Sequence, residues 1–118
     1  MDSLSLVEKA NIYAKAITEP NRMKMLKIIG SAPPETISVG DIARILNISQ
    51  PAVSKHLQTL NWCGFLRRRK VGNTVYYSLN KDAIYDFQKV ATDAFERVWT
   101  PCEYDYLCDD CPYKTTCK

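Results

Sequence analysis

Between Asp41 and Asp82 this chain has no acidic residue, which is its most informative absence. Other scarcities narrow the field. A single histidine, His56, cannot supply the paired imidazoles of a catalytic zinc site, and no other histidine could serve a nucleophile as its base. Four glycines form no glycine-rich phosphate loop. An enzyme is therefore not expected. No run approaches the ~20 apolar residues that span a bilayer. Met1-Asp2-Ser3-Leu4-Ser5 lacks the basic start of an export signal, and Glu8 and Lys9 interrupt the apolar run that should follow. The expectation is a soluble cytoplasmic protein with no membrane partner. Its five cysteines then read as thiols, not as an extracellular disulfide frame. Internal repeats and low-complexity segments are absent.

What is present is one domain's length, 118 residues, with an ordinary 46% of apolar residues. The chain carries 16 basic and 13 acidic side chains, a net charge of only +3. The acid-free window, however, holds Arg44, Lys55, Arg67, Arg68, Arg69, Lys70 and Lys81, so it alone is +7 and the other 78 residues are net −4. Such a stretch presents a positive face without a high overall charge. Phosphate backbones reward it, because each neutralised phosphate releases condensed counterions.

Periodicity predicts mainly helices and one small β-hairpin. Leu6, Ala10, Tyr13 and Ile17, widened by Val7 and Ala14, mark an amphipathic helix over about 4–18. Pro20 suits the first turn of a second helix, with Met23, Leu26 and Ile29 as its buried side, widened by Met25 and Ile28, and Gly30 as its stop. Ser38 caps a third helix, with Asp41 three residues on; Val39, Ile42, Ala43 and Leu46 form its inner face. Asn47 tolerates positive φ and ends it. Ser49 caps the next helix only two residues later, Pro51 sits in its first turn, and Val53, Leu57 and Leu60 are its buried stripe. The connection Asn47-Ile48-Ser49 leaves no slack, so the second helix must cross the first steeply and project. Two β-rich runs, Phe65 to Lys70 and Thr74 to Leu79, flank the turn Gly72-Asn73. Asn80 caps a last long helix whose Ile84, Phe87, Ala91, Ala94 and Val98 repeat at three, four, three, four, the narrow seam that faces a partner helix.

A helix-turn-helix followed by a basic hairpin points to nucleic acid. With Val53, Leu57 and Leu60 inward, Gln50, Ser54, Lys55 and Gln58 point outward and His56 lies near the boundary. Gln can bond an adenine edge twice, Ser can approach base or phosphate, and Lys55 suits phosphate. Ser49 adds a capping and phosphate role. On the hairpin, alternation places two of Arg67, Arg68, Arg69 and Lys70 on each side, with Asn73 at the tip, so the wing can lie along phosphates or enter a minor groove. Trp62 and the Tyr76-Tyr77 pair read as packing between hairpin and helices. Cys63 reads as a small buried apolar residue.

Residues 19 to 80 resemble the ArsR/SmtB family of dimeric winged-helix repressors. The resemblance rests on Glu19-Pro20-Asn21-Arg22, on Ser49-Gln50-Pro51-Ala52-Val53-Ser54-Lys55-His56-Leu57, on Gly64-Phe65-Leu66, and on Gly72-Asn73-Thr74-Val75-Tyr76-Tyr77-Ser78-Leu79. It implies a winged helix-turn-helix, dimeric through its N- and C-terminal helices. It also implies a homodimer on double-stranded DNA at a pseudo-palindromic operator, released when a ligand arrives. Arsenic sensors of the family carry Cys-x-Cys where this chain has Ser38 and Gly40. Zinc sensors use Asp and His pairs on the last helix, which this chain lacks. The resemblance therefore carries no inducer over.

Residues 1–100 are expected to form the DNA-binding and dimerisation domain and residues 101–118 a cysteine-rich tail. Cys102, Cys108, Cys111 and Cys117 are spaced C-x5-C-x2-C-x5-C. Four thiolates in a small loop suit tetrahedral zinc, and Cys111-Pro112 echoes the Cys-Pro ending of iron–sulfur motifs. Arsenite or another soft ion, or a thiol–disulfide switch, would use the same sulfurs. The tail follows the seam at Val98, so its state could bias a dimer. The alternative function is a winged-helix iron–sulfur or zinc protein serving protein contacts or redox without DNA. It resembles small proteins of ferrous-iron uptake and needs neither Arg67–Lys70 nor the acid-free window.

Overall fold

The computed structural model of the chain describes residues 4–99, 101–103, 107, 109 and 112. Within them five helices and one hairpin follow in the order α1 (Leu6–Ala16), α2 (Pro20–Ser31), α3 (Val39–Leu46), α4 (Gln50–Trp62), β1 (Leu66–Val71), β2 (Thr74–Leu79) and α5 (Lys81–Glu96). The architecture is a winged helix-turn-helix of the α+β class. No helix among these residues is long and apolar enough to cross a membrane.

Local side-chain chemistry sets the boundaries around α3 and α4. Ser38 Oγ accepts the Asp41 N–H and the Asp41 carboxylate accepts the Ser38 N–H, a reciprocal capping box at the start of α3. Asn47 ends α3 at φ 54°, and the Ile48 N–H returns to the Ala43 carbonyl in a Schellman closure. Ser49 Oγ then accepts the Ala52 N–H at 3.2 Å and opens α4, with Pro51 in its first turn. At the far end Gly64, at φ 94°, lets the Phe65 N–H reach the Leu60 carbonyl at 3.0 Å. In the hairpin turn Gly72 alone takes positive φ, as a two-residue connection with glycine first requires. The ladder then pairs Leu66 with Leu79 through Val71 with Thr74.

The core lies where α1, α2 and α4 meet the base of the wing. Val53, Leu57 and Leu60, the expected stripe of α4, are wholly buried, alongside Met25, Ile42 and Phe65. Phe65 stacks nearly parallel on Tyr13 of α1 at 5.3 Å between ring centroids, and Phe87 of α5 tilts against both at 5.5 and 5.8 Å. The Tyr13 hydroxyl donates to Asp86 Oδ2 at 2.6 Å. Burial, reinforced by that carboxylate, pushes the Tyr13 phenol above its ordinary ionisation range.

Several expectations need correction. In α2 it is Met25, Leu26 and Ile29 that are buried, while Met23 is 51% exposed. Gly30 does not stop α2, which continues to Ser31; a Cβ there would collide with the Leu79 side chain, so glycine lets β2 pack on this helix. Asn80 sits at the start of α5 without a side-chain cap. Its Oδ1 instead accepts from Arg67 Nη2. The buried residue of α5 is Val90, off the seam, and the helix ends at Glu96, short of Val98. Trp62 is 74% exposed and does not pack between hairpin and helices.

Replacing Phe65 with Ala should cost about 3–5 kcal/mol in urea unfolding. Trp62→Ala should shift stability by no more than about 0.5 kcal/mol. Equal costs would mean that the aromatic cluster is not the keystone of the core.

Candidate nucleic-acid interface

With its apolar stripe buried, α4 turns Gln50, Lys55 and Gln58 to solvent and leaves Ser54 half-exposed. The Gln50 amide lies beside Gly40 in the first turn of α3, 3.5 Å from where a Cβ would stand, an ordinary contact distance. Ser49 is exposed while capping α4, and Asn73 is exposed at the hairpin tip.

His56 departs from this face. Its Nδ1 accepts a hydrogen bond from Arg22 Nε at 3.2 Å, and its Nε2 lies 3.5 Å from Glu19 Oε2, with the side chain only 19% exposed. The ring therefore turns toward the junction of α1 and α2 and not outward with Gln58.

The wing carries its charges as alternation requires. Arg67 and Arg69 share one side, Arg68 and Lys70 the other, the side shared with buried Leu66. The folded charge pattern differs from the linear one. Two carboxylates from just outside the acid-free window return to it: Glu35 Oε1 pairs with Arg69 Nη1 at 2.7 Å, and Asp41 Oδ1 with Arg44 Nη2 at 3.0 Å. Asp41 is held below its usual range by the Ser38 backbone bond, then by the Ser38 hydroxyl and Arg44. Glu35 sits at φ 59° in the α2–α3 loop, a position sequence distance concealed. Within the acid-free window Lys55, Arg68, Lys70 and Lys81 have no side-chain hydrogen-bond or ion-pair partner among the described residues.

Cysteine places two thiols within the description. Cys63 is buried and donates to the Leu60 carbonyl at 3.2 Å, and burial pushes its thiol above the ordinary value. Cys102 is exposed. Cys108, Cys111 and Cys117 lie outside the described residues, and no group of metal-binding side chains gathers within them.

A projecting helix with a polar outer face, followed by a basic hairpin, defines a winged-helix DNA-binding protein. Residues 17–69 match the model of a helix-turn-helix domain family. The transcriptional repressor SdpR of Bacillus subtilis is 36% identical over 76 residues, covering 64% of this chain and 80% of that protein. The transcriptional repressor SmtB homolog of Synechocystis is 25% identical over 91 residues, 77% of this chain and 67% of the relative. The solved structure of HlyU from Vibrio cholerae aligns with TM-score 0.58 and 28% identity, over 73% of this chain and 91% of that one. The chain belongs to the ArsR/SmtB family of winged-helix transcription regulators. It is a DNA-binding regulator and not an enzyme.

Ser49→Ala removes the cap of α4 and should cost about 1 kcal/mol of stability, whereas Ser49→Asp, which can still cap, should recover most of it. Urea midpoints for the two variants check this; an Ala variant as stable as the parent would remove the capping role.

Proposed function

We propose that the chain is a homodimeric repressor that reads a pseudo-palindromic operator in the cytoplasm, with α4 as recognition helix. The observation that carries this is the outer face of α4: Gln50, Lys55 and Gln58 are exposed and Ser54 half-exposed, and the wing that follows carries the unpartnered cations Arg68 and Lys70. Gln50 and Ser54 read base edges, since the N-terminal residues of a recognition helix reach deepest into the major groove. Ser49, Lys55, Gln58 and the wing residues Arg67, Arg68, Arg69, Lys70 and Asn73 hold the backbone. His56 faces Arg22 and Glu19 instead. Because Glu35 neutralises Arg69, the wing meets DNA first with Arg68 and Lys70.

Dimerisation is supported by the face that α1 and α5 leave uncovered. Val7, Ala14, Phe87, Ala91, Ala94 and Phe95 line most of a groove of about 380 Å³, and its walls are almost wholly apolar. Val7 and Phe95 are well exposed in a single chain. A second copy presenting the same face would bury it, as an isologous interface requires. Repression, not activation, is the reading preferred by SdpR and the SmtB homolog; HlyU bears the name of an activator.

Residues 101–118 are the sensory tail in this proposal. Cys102, Cys108, Cys111 and Cys117 supply four sulfurs, a donor set that fits zinc or an iron–sulfur cluster and equally a thiol–disulfide pair. Filled with zinc they would brace the dimer end; a cluster or disulfide would add redox sensitivity.

On duplex selected for tight binding, Gln50→Ala and Ser54→Ala should relax sequence preference. Arg68→Ala should weaken binding to all sequences and reduce the slope of log affinity against log salt by about 1. Glu35→Gln should free Arg69 and strengthen binding about two- to fivefold at low salt, since an exposed pair holds it by under about 1 kcal/mol. Uniform losses from every alanine variant would overturn the division between base and backbone contacts.

For the tail, protein purified without oxygen should carry zinc, or iron with visible absorbance, and Cys108→Ser with Cys111→Ser should abolish both metal and effector response. If dimer, DNA affinity and response are unchanged in that variant, the tail is not the sensor.

A further inference from the structure

His56 lies in a small polar cluster with Glu19 and Arg22. Arg22 donates Nη1–H to the carbonyls of Lys15 and Ala16, at 3.0 and 3.4 Å, closing the end of α1. Its Nε–H goes to His56 Nδ1. Glu19 Oε2 accepts the Asn21 N–H at 2.9 Å, capping α2, and is the atom that faces His56 Nε2. One imidazole thus joins the middle of α4 to the last turn of α1 and the first turn of α2. A guanidinium cannot accept a hydrogen bond, so the Nδ1 that it meets must be bare and the ring proton must sit on Nε2, toward Glu19. Nδ1 accepts the Arg22 hydrogen bond, and Nε2 faces the Glu19 carboxylate at 3.5 Å, on the inner side of α4 and not on its outer face.

Burial of Val53, Leu57 and Leu60 keeps α4 on the core, but apolar contact is non-directional and tolerates small rotations and slides. A satisfied polar network fixes one arrangement. We propose that His56 is a positioning residue: with Glu19 and Arg22 it pins the recognition helix to the α1–α2 elbow and sets the angle at which Gln50 and Ser54 meet the major groove. Since α1 also borders the proposed dimer face, the strut ties the pose of each reading helix to the pairing of the two copies. This rests on the DNA-binding reading above.

The test uses the full chain, four single variants and one double variant. Asn at 56 places its amide oxygen where Nδ1 stood and can accept from Arg22; Gln places its amide nearer Nε2 and cannot accept from Arg22 in the same way; Ala does neither. His56→Asn should bind the selected duplex within about threefold of the parent. His56→Ala, His56→Gln and Arg22→Lys should each lose about tenfold on that duplex, with non-specific affinity and salt slope unchanged, because backbone contacts survive a mis-set angle. Combining Arg22→Lys with His56→Ala should add little to either alone, as for two members of one network. Nitrogen NMR of the free protein should show His56 with a bare Nδ1 and a protonated Nε2.

Loss of non-specific binding together with a shallower salt slope in His56→Ala would make His56 a phosphate contact and overturn the proposal. So would His56→Asn behaving like His56→Ala, additive losses in the double variant, or a proton found on Nδ1. Lower melting temperatures with unchanged affinity per folded molecule would leave His56 a stability residue only, and would also overturn it. Failure of the parent to bind any duplex would instead defeat the proposed function, while the tautomer still decides the strut.

Discussion

The structure depends on Phe65. It follows the glycine that ends α4, precedes β1, and stacks on Tyr13 of α1 while touching Phe87 of α5. Reading helix, wing and both terminal helices therefore share one buried ring. Neighbouring aromatic rings contribute roughly 0.5–1.5 kcal/mol per pair beyond their burial, so the cluster stabilises this junction more than aliphatic packing of equal area would. The Tyr13–Asp86 hydrogen bond ties α1 to α5 at the same place. A rigid junction here is what allows a helix with a small polar face to be aimed.

Electrostatics arranges the surface that this junction carries. The linear acid-free window suggested a uniformly positive face, and folding makes it selective. Arg44 and Arg69 are paired with carboxylates from outside the window, and Arg67 keeps its charge while donating to the neutral Asn80 amide. Lys55 on α4, Arg68 and Lys70 on one side of the wing and Lys81 at the start of α5 stay open, so folding leaves a smaller set of free cations than the linear window holds. Exposed pairs such as Glu35–Arg69 are weak enough to open when a phosphate competes.

Features that rest on a residue's own chemistry were legible in the sequence. The Ser38–Asp41 box, left-handed Asn47, the Ser49 cap with Pro51, the stripe Val53–Leu57–Leu60 and the Gly72 turn need only neighbours within a few positions. Features that depend on which elements meet were not. Met23 and Met25 both fit a helical stripe, and only the placement of α2 against α4 decides that Met25 goes inside. Trp62 is apolar enough for a core but falls on the open side of α4, and Glu35 reaches Arg69 only through the path of the α2–α3 loop. His56 sat at the margin of the outer face by spacing alone. Its direction is set by Arg22 and Glu19, 34 and 37 positions earlier in the chain. The relatives set aside the alternative of a redox module without DNA, since they are transcription regulators.

The proposed repressor requires two copies of α4 lying in successive major grooves. Methylation interference on a selected operator measures this directly, because the methyl group at guanine N7 fills the major groove alone. Binding should be blocked by methylation in two patches centred about 10 base pairs apart on one face of the duplex. A protein whose binding ignores major-groove methylation, or is blocked at a single patch, would contradict it.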